Sequence, residues 1–240
     1  MKSYQVKIAR SSADGGITRI GTFQVALEER MTVLDALFNI QRTQDDSLSF
    51  RCACRVGMCG TCAMYINSVP RLACKTQVSQ LDTETVTIAP LPNLPVIKDL
   101  VVSLEPFFKQ WKKIKPALHS PNRDATEPAK IPATSRYARE TPQKRDCITC
   151  GICYGACGIK STNEEYLGPA AINKAFLRLM DPRDTATEER LDVLNEERGG
   201  VWRCHTQFNC TAACPKKIDL TDTIMRLKRS MLFPSGFKKA

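Results

Sequence analysis

Apolar and polar residues alternate over much of the first ninety positions of the chain. The alternation predicts strands over residues 4–9, 21–25, 63–66 and 85–88. Residues 32–40 differ, because their apolar side chains recur at the i, i+3, i+4 and i+7 spacing of an amphipathic helix. We therefore expect a small mixed sheet crossed by one helix in this part of the chain.

Pro90, Pro92 and Pro95 end the strand pattern, and helical periodicity takes over beyond them. The sequence predicts two domains, residues 1–104 and 105–240, with a proline-rich irregular connector at 115–143. Helices are expected over residues 104–114, from Pro169 to 180, over 188–198 up to Gly199-Gly200, and over 221–231 with Thr221 as N-cap.

The cysteines, 12 in all, supply the chemistry of the chain. In the middle, Cys147-x2-Cys150-x2-Cys153-x3-Cys157 is a complete run of the bacterial ferredoxin type. In such runs three cysteines hold one [4Fe–4S] cluster, and the fourth crosses to a second cluster.

A second run near the C-terminus lacks one thiol. It reads Cys204-x2-Gln207-x2-Cys210-x3-Cys214-Pro215, with glutamine in the second cysteine position. A carboxamide is a poor iron ligand beside thiolates, so Gln207 predicts a vacant ligand position. Pairing the two runs crosswise then predicts two ligand sets, Cys147, Cys150, Cys153 and Cys214 for a [4Fe–4S] cluster, and Cys157, Cys204 and Cys210 for a [3Fe–4S] cluster.

A third cluster is predicted upstream, where Cys54-x4-Cys59-x2-Cys62 has the plant-type [2Fe–2S] spacing and Cys74 is the fourth ligand. Gly57 and Gly60 lie between these cysteines, and glycine permits the tight turns that a cluster loop requires. Cys52 is left over, and we interpret it as a buried free thiol.

Two other uses of cysteine compete with iron–sulfur ligation. A disulfide framework is typical of small secreted domains, whereas this chain has 240 residues and opens with a strand pattern instead of a signal peptide. Zinc modules also use C-x2-C pairs, but they do not require two interlocked runs together with the C-x4-C-x2-C spacing. A non-enzymatic zinc module that binds nucleic acid is retained as a remote alternative.

Charge and hydropathy narrow the choice of partners. The formal net charge is +10, yet no basic stripe interleaved with aromatic residues is present, so no nucleic-acid partner is expected. No uncharged apolar run approaches the roughly 20 residues that span a bilayer, and a membrane association would need another subunit.

Several segments together resemble the iron–sulfur subunit of succinate dehydrogenase and fumarate reductase, the B subunit of respiratory complex II. They match in identity, order and spacing over nearly the whole chain. The segments are SFR at 49, CRVGMCGTCAM at 54, PRLAC at 70, CITCGIC at 147, LGPAA at 167, DPRD at 181 and WRCH at 202.

The resemblance implies an α+β chain, with an N-terminal β-grasp plant-type ferredoxin domain followed by an all-helical bacterial-ferredoxin-like domain. It further implies an electron-transfer subunit without substrate chemistry of its own. Electrons would pass between covalent FAD on a flavoprotein subunit and a membrane quinone through the [2Fe–2S], [4Fe–4S] and [3Fe–4S] clusters. The partners would be that flavoprotein and a membrane anchor, and members of the family differ in whether the anchor binds haem b. We expect a peripheral membrane protein on the cytoplasmic side of a prokaryotic inner membrane.

The chain departs from the family pattern at the quinone end. Gly158 stands where many relatives have proline, and residues 159–162 lack the tryptophan of ubiquinone-using members. His205 and Lys228 are the candidates for contact with quinone, and menaquinone is the favoured quinone. The competing interpretations are a hydrogen bond from His205 to cluster or backbone and a solvated helix face for Lys228. The alternative function is that of an electron-transfer subunit in another complex, such as a thiol-dependent fumarate reductase or a heterodisulfide-reductase-like assembly.

Overall fold

The structure is a computed structural model that describes residues 3–11, 16–26, 28–120 and 130–233. Within these ranges the strands are β1 Ser3–Ser11, β2 Ile17–Ala26, β3 Ala63–Ile66, β4 Val69–Leu72, β5 Thr85–Ala89, β6 Val96–Lys98 and β7 Val101–Val102. The α-helices are α1 Val33–Thr43, α2 Glu105–Lys113, α3 Arg136–Glu140, α4 Pro142–Arg145, α5 Ile152–Gly155, α6 Gly158–Thr162, α7 Pro169–Met180, α8 Thr187–Asn195, α9 Asn209–Ala213 and α10 Leu220–Leu232.

Two compact units divide the chain. The first unit comprises Met1–Leu104 and Ile148–Ala156, and the second comprises Glu105–Cys147 and Cys157–Ala240. This division differs from the predicted domain limits in one segment. Residues 148–156, which include α5 and the middle of the first ferredoxin run, belong to the first unit rather than to the helical one.

The first unit contains a five-stranded mixed sheet in the order β2-β1-β5-β3-β4. Only the β1–β5 pair is parallel, while β1–β2, β3–β4 and β3–β5 are antiparallel. The helix α1 begins after Thr32, whose side chain forms a capping box with Asp35. It buries the face formed by Val33, Leu34, Ala36, Leu37 and Ile40. The predicted mixed sheet and its single helix are therefore confirmed.

A buried ion pair holds the backbone that leads into the first cysteine segment. Arg10 on β1 donates through Nε to the carboxylate of Asp99 at 3.0 Å, and both side chains are buried. The second oxygen of Asp99 accepts the backbone N–H of Ser49 at 2.9 Å. Because Ser49 precedes the cysteine loop by a few residues, this network connects the sheet to the start of the loop.

The described part of the second unit is helical, as predicted. Nearly every residue of α7 is buried, and α10 packs against it. Their shared core includes Ile172, Phe176 and Leu179 of α7 together with Ile224 and Leu227 of α10. The predicted start of α7 at Pro169 is correct.

Two details of the second unit differ from the sequence predictions. The N-cap of α10 is Asp219, which accepts the backbone N–H of Asp222, whereas Thr221 lies inside the helix and is buried. The connector predicted at 115–143 is not wholly irregular, because α3 and the start of α4 fall within it. Ser135 caps α3 by accepting the N–H of Ala138.

A fully buried ion pair between Arg190 of α8 and Asp184 secures the segment that follows α2. The same guanidinium donates to the backbone carbonyls of Ile114 at 3.0 Å, Lys115 at 2.8 Å and Ala117 at 3.0 Å. One side chain thus satisfies three carbonyls of a segment without regular structure. No helix in the described ranges is long and apolar enough to span a membrane.

Candidate iron–sulfur sites

The loop predicted to hold the [2Fe–2S] cluster turns tightly around the thiol of Cys54. Arg55, Gly57 and Gly60 have φ angles of 57°, 78° and 77°, which lie in the left-handed region. These turns direct the backbone N–H groups of Met58 and Cys59 at the Cys54 sulfur, at 3.2 and 3.3 Å. The glycines therefore have the conformations expected of a cluster loop.

These N–H groups favour the thiolate that iron requires. The N–H of Cys59, followed by those of Val56 and Met58, lowers the pKa of the Cys54 thiol to about 6. Cys59 itself has the hydroxyl of Thr61 3.2 Å from its sulfur. The loop is thus arranged to stabilise negative charge on sulfur.

The hairpin of β3 and β4 brings the other two predicted ligands together. Cys62 precedes β3 and Cys74 follows β4, and the N–H of Ala73 donates to the carbonyl of Cys62 at 3.0 Å. Both thiols are buried. Burial, followed by the nearby thiols of Cys74 and Cys59, raises the pKa of Cys62 to about 12. The structure gathers the four predicted thiols, while Cys52 is half-buried rather than buried.

Replacement by alanine should be tolerated differently at the two loop glycines, Gly57 and Gly60. A Cβ on Gly60 would lie 2.5 Å from Cβ and 2.9 Å from Cα of Cys150, so backbone would have to move. A Cβ on Gly57 would meet only the flexible side chain of Lys75 at 2.8 Å. We expect Gly60→Ala to lose most of its [2Fe–2S] content and Gly57→Ala to keep most of it, although each costs roughly 1–2 kcal/mol for its left-handed backbone.

Visible circular dichroism and iron content of the purified proteins measure this difference. Gly57→Ala is the matched control, since both glycines have nearly the same φ. Equal cluster loss in the two variants would show that backbone strain matters and that the approach to Cys150 does not.

The second unit contains a cleft of about 320 Å³, part of it open to solvent. The structure brings the three predicted [3Fe–4S] ligands together with Gln207 at this cleft. Its lining consists of Cys157, Ile159, Tyr166, Pro169, Cys204, His205, Thr206, Gln207, Phe208, Asn209, Cys210, Thr221 and Ile224.

Gln207 lies at the exposed edge of this cleft, over the first residue of α6. A Cβ on Gly158 would be only 2.7 Å from Oε1 of Gln207. Glycine at position 158 therefore leaves the space that the carboxamide occupies. Three thiols with a non-thiolate side chain beside them fit a cluster that needs three ligands.

Backbone and hydroxyl donors surround these three thiols. Burial raises the pKa of Cys157, and the N–H groups of Lys160 and Ile159 partly oppose it. Burial likewise raises the pKa of Cys210. The hydroxyl of Thr221, 3.8 Å from the Cys210 sulfur, acts in the opposite direction and lowers this pKa. The N–H of Thr206 donates to the Cys204 sulfur at 3.4 Å. Donors of this kind stabilise thiolates once iron has replaced their protons.

Sequence reasoning missed two buried polar residues beside this cleft. Lys160 of α6 is 4% exposed, and its ammonium donates to the carbonyls of Glu164 at 2.7 Å and Tyr166 at 2.8 Å. Burial lowers the pKa of Lys160 to about 8. Tyr166 is 1% exposed, and burial followed by the thiol of Cys204 raises its pKa well above the usual value.

The ligands predicted for the [4Fe–4S] cluster are divided between the units. Cys150 and Cys153 belong to the first unit, and Cys147 and Cys214 belong to the second. Within the second unit, the N–H of Ile218 donates to the Cys214 sulfur at 3.4 Å. This ligand set stays a prediction.

The two quinone candidates lie near the Cys204 backbone. His205 is exposed and lines the cleft. The ammonium of Lys228 donates to the carbonyl of Cys204 at 2.8 Å and stands 5.9 Å from the centre of the Trp202 ring. Lys228 is therefore directed at the backbone of a predicted ligand rather than into solvent, as a solvated helix face would require.

In the described ranges, no group of three or more His, Cys, Asp or Glu side chains is arranged to hold a single metal ion. A cluster distributes its thiolates over several iron ions, so its ligands need not converge on one point.

Comparison with known families matches both parts of the chain. Residues 5–109 match the family described as 2Fe-2S iron-sulfur cluster binding domain. Residues 143–218 match the family described as 4Fe-4S dicluster domain. These matches confirm the predicted order of a plant-type ferredoxin domain followed by a domain that binds two clusters.

Relatives match over most of their length. The chain is 42% identical over 201 residues to succinate dehydrogenase [ubiquinone] iron-sulfur subunit 1, mitochondrial, of Oryza sativa, covering 83% of this chain and 71% of the relative. It is 36% identical over 236 residues to the fumarate reductase iron-sulfur subunit of Haemophilus influenzae, covering 90% and 91%. A chain of the Mycobacterium smegmatis Sdh1 complex in the apo form superposes with a TM-score of 0.84 at 27% identity, covering 95% of each chain.

Proposed function

Because the chain belongs to the family of iron–sulfur subunits of succinate dehydrogenase and fumarate reductase, we propose that it carries electrons between FAD on a flavoprotein subunit and a membrane quinone. It is an electron-transfer subunit of this oxidoreductase family. The three clusters, when bound, exchange one electron at a time, whereas the flavin handles electron pairs.

A single observation carries the proposal. Cys157, Cys204 and Cys210 line one cleft in the second unit, and Gln207 stands beside them in place of a fourth cysteine. This arrangement supports a [3Fe–4S] cluster, which we propose as the carrier nearest to quinone. The thiols of Cys54, Cys59, Cys62 and Cys74 would hold the [2Fe–2S] cluster nearest to FAD, and Cys147, Cys150, Cys153 and Cys214 the [4Fe–4S] cluster between them.

Exposed apolar side chains near two of the proposed clusters support the binding of partner subunits there. Val56 and Met58, in the [2Fe–2S] loop, are 62% and 67% exposed. Trp202 and Phe208 are exposed beside the cleft of the second unit. Large apolar side chains exposed at a functional site are typical of interaction surfaces. We assign the first pair to the flavoprotein, with covalent FAD, and the second pair to a membrane anchor that holds the protein on the cytoplasmic side of a prokaryotic inner membrane. Such an anchor can also hold haem b.

Low-temperature EPR of the purified complex tests the proposed function. The oxidised protein should give a [3Fe–4S] signal, and reduction should replace it with the signal of the [2Fe–2S] cluster. Chemical analysis should find about nine iron ions and ten acid-labile sulfides per chain, the sum of the three cluster formulas. Zinc without sulfide would contradict the proposal and favour a zinc module.

We further propose menaquinone as the quinone, with His205 and Lys228 near it. The absence of tryptophan from residues 159–162 and the position of Lys228 at the Cys204 carbonyl support this choice. Extraction of the purified complex followed by chromatography identifies the bound quinone. Ubiquinone as the sole quinone would contradict this part of the proposal and leave the electron-transfer role intact.

A further inference from the structure

Tyr166 presents a polar atom that the proposed function leaves without a role. Its side chain is 1% exposed and lines the cleft that contains Cys157, Cys204 and Cys210. Its hydroxyl has no hydrogen-bond partner of normal geometry within the described residues. A buried hydroxyl without a partner costs roughly 1–3 kcal/mol, so such a group calls for an explanation.

The ionisable groups that act on this hydroxyl are thiols. It interacts electrostatically with Cys204, Cys157 and Cys210, and most strongly with Cys204. The Cys204 sulfur is close enough to interact but is not placed as a regular acceptor. The hydroxyl therefore faces the sulfur-rich region that a cluster would fill.

The backbone of Tyr166 is fixed on both sides, which limits the movement of the ring. Its carbonyl accepts the ammonium of buried Lys160 at 2.8 Å. Its N–H donates to the side chain of Asn163 at 3.2 Å. The next N–H, of Leu167, donates to the carbonyl of Gly199 at 2.8 Å. These contacts fix the backbone of Tyr166, and the burial of its side chain limits rotation of the ring away from the cleft.

We propose that the Tyr166 hydroxyl donates a hydrogen bond to a sulfur of the [3Fe–4S] cluster held by Cys157, Cys204 and Cys210, and that this bond raises the reduction potential of the cluster. The inference rests on the proposed function. Tyr166 is a positioning and tuning residue, since it supplies no ligand to iron.

The direction of the effect follows from charge. An oxidised [3Fe–4S] cluster with three thiolates carries about −2, and one added electron makes it about −3. A donor to sulfur stabilises the more negative state more strongly. The phenol keeps its proton throughout, because burial holds its pKa well above the usual range, so one electron enters the cluster and no proton moves.

A redox titration of the purified complex, followed by the EPR signal of the oxidised [3Fe–4S] cluster, tests this inference. The electron is supplied by a soluble one-electron mediator. For Tyr166→Phe we expect the ratio of reduced to oxidised cluster at the wild-type midpoint to fall about tenfold, which corresponds to about 59 mV for one electron. The bond supplies a difference of this order because hydrogen bonds to charged groups are the stronger ones.

Tyr137→Phe is the matched control. Tyr137 also packs against the core of the second unit but does not line the cleft. Its variant should titrate like the wild-type complex. An unchanged midpoint in Tyr166→Phe, with the [3Fe–4S] signal present, would overturn the role of Tyr166 alone. The absence of a [3Fe–4S] signal from the wild-type complex would instead overturn the proposed function.

A second variant keeps the test decisive if Tyr166→Phe assembles poorly. Replacing Tyr166 with 3-fluorotyrosine retains the hydroxyl and makes it a stronger donor. The midpoint should then shift upwards, opposite to the change in Tyr166→Phe. A downward shift or no shift would contradict the hydrogen bond.

Discussion

Replacing Gln207 with cysteine is expected to abolish at least nine-tenths of the oxidised [3Fe–4S] EPR signal. Gln207 stands in the second cysteine position of its run and lines the same cleft as Cys157, Cys204 and Cys210. A thiolate there would supply the fourth ligand that a [4Fe–4S] cluster requires. Iron content should rise from about nine to about ten ions per chain, which metal analysis measures directly.

The same substitution should reduce electron transfer to quinone at least tenfold, about 1.4 kcal/mol or more in the barrier. A fourth thiolate changes the cluster type, although the net charge stays at about −2, and the cluster type sets the reduction potential. Gln207→Ala is the matched control, because it removes the same carboxamide without adding a ligand. It should keep the [3Fe–4S] signal. Retention of that signal in Gln207→Cys as well would contradict the assignment of a vacant position.

Replacing Arg190 with methionine is expected to lower the free energy of unfolding of the second unit by about 3–5 kcal/mol. Arg190 and Asp184 are both fully buried, so the substitution leaves the carboxylate without its guanidinium. The carbonyls of Ile114, Lys115 and Ala117 lose donors at the same time. The thermal midpoint, followed anaerobically by far-ultraviolet circular dichroism of the holoprotein, should fall by roughly 10 °C.

Arg198→Met provides the comparison for this substitution. Arg198 is exposed in the same unit, and its replacement should change stability by no more than about 0.5 kcal/mol. Similar midpoints for the two variants would show that the buried pair contributes little beyond what a methionine of similar volume supplies.

The sequence predicted the secondary-structure elements and the cysteine groups, because both depend on residues close together in the chain. The strands and helices with clear periodicity lie where the pattern placed them, as α1 and α7 illustrate. Cysteine spacing predicted three ligands and a vacant position at Gln207, and the structure brings these four residues to one cleft. Spacing is informative here because the residue type and the reach of a short loop restrict which thiols can share a cluster.

The features that escaped prediction depend on tertiary contacts. The strand β4 contains Pro70, which argues against a strand except at a sheet edge, and β4 is an edge strand. Thr221 is a good N-cap residue by type, yet its hydroxyl lies 2.9 Å from that of Thr211 inside the fold. Nothing in the chain's pattern distinguishes Lys160 or Tyr166 from an exposed residue, because their burial depends on segments distant in sequence.

The proposed ligands of the [3Fe–4S] cluster come from places far apart in the chain, since Cys157 precedes Cys204 by 47 positions. A bound cluster would therefore act as a covalent cross-link that closes a long loop. By the chain-entropy relation used for disulfides, closing a loop of this length lowers the conformational entropy of the unfolded chain. At 25 °C this loss stabilises the folded state by roughly 4 kcal/mol. That is comparable to the whole contribution expected of the Arg190 pair. Iron supply and oxidative damage would then control how long the polypeptide survives proteolysis, in addition to whether it conducts electrons.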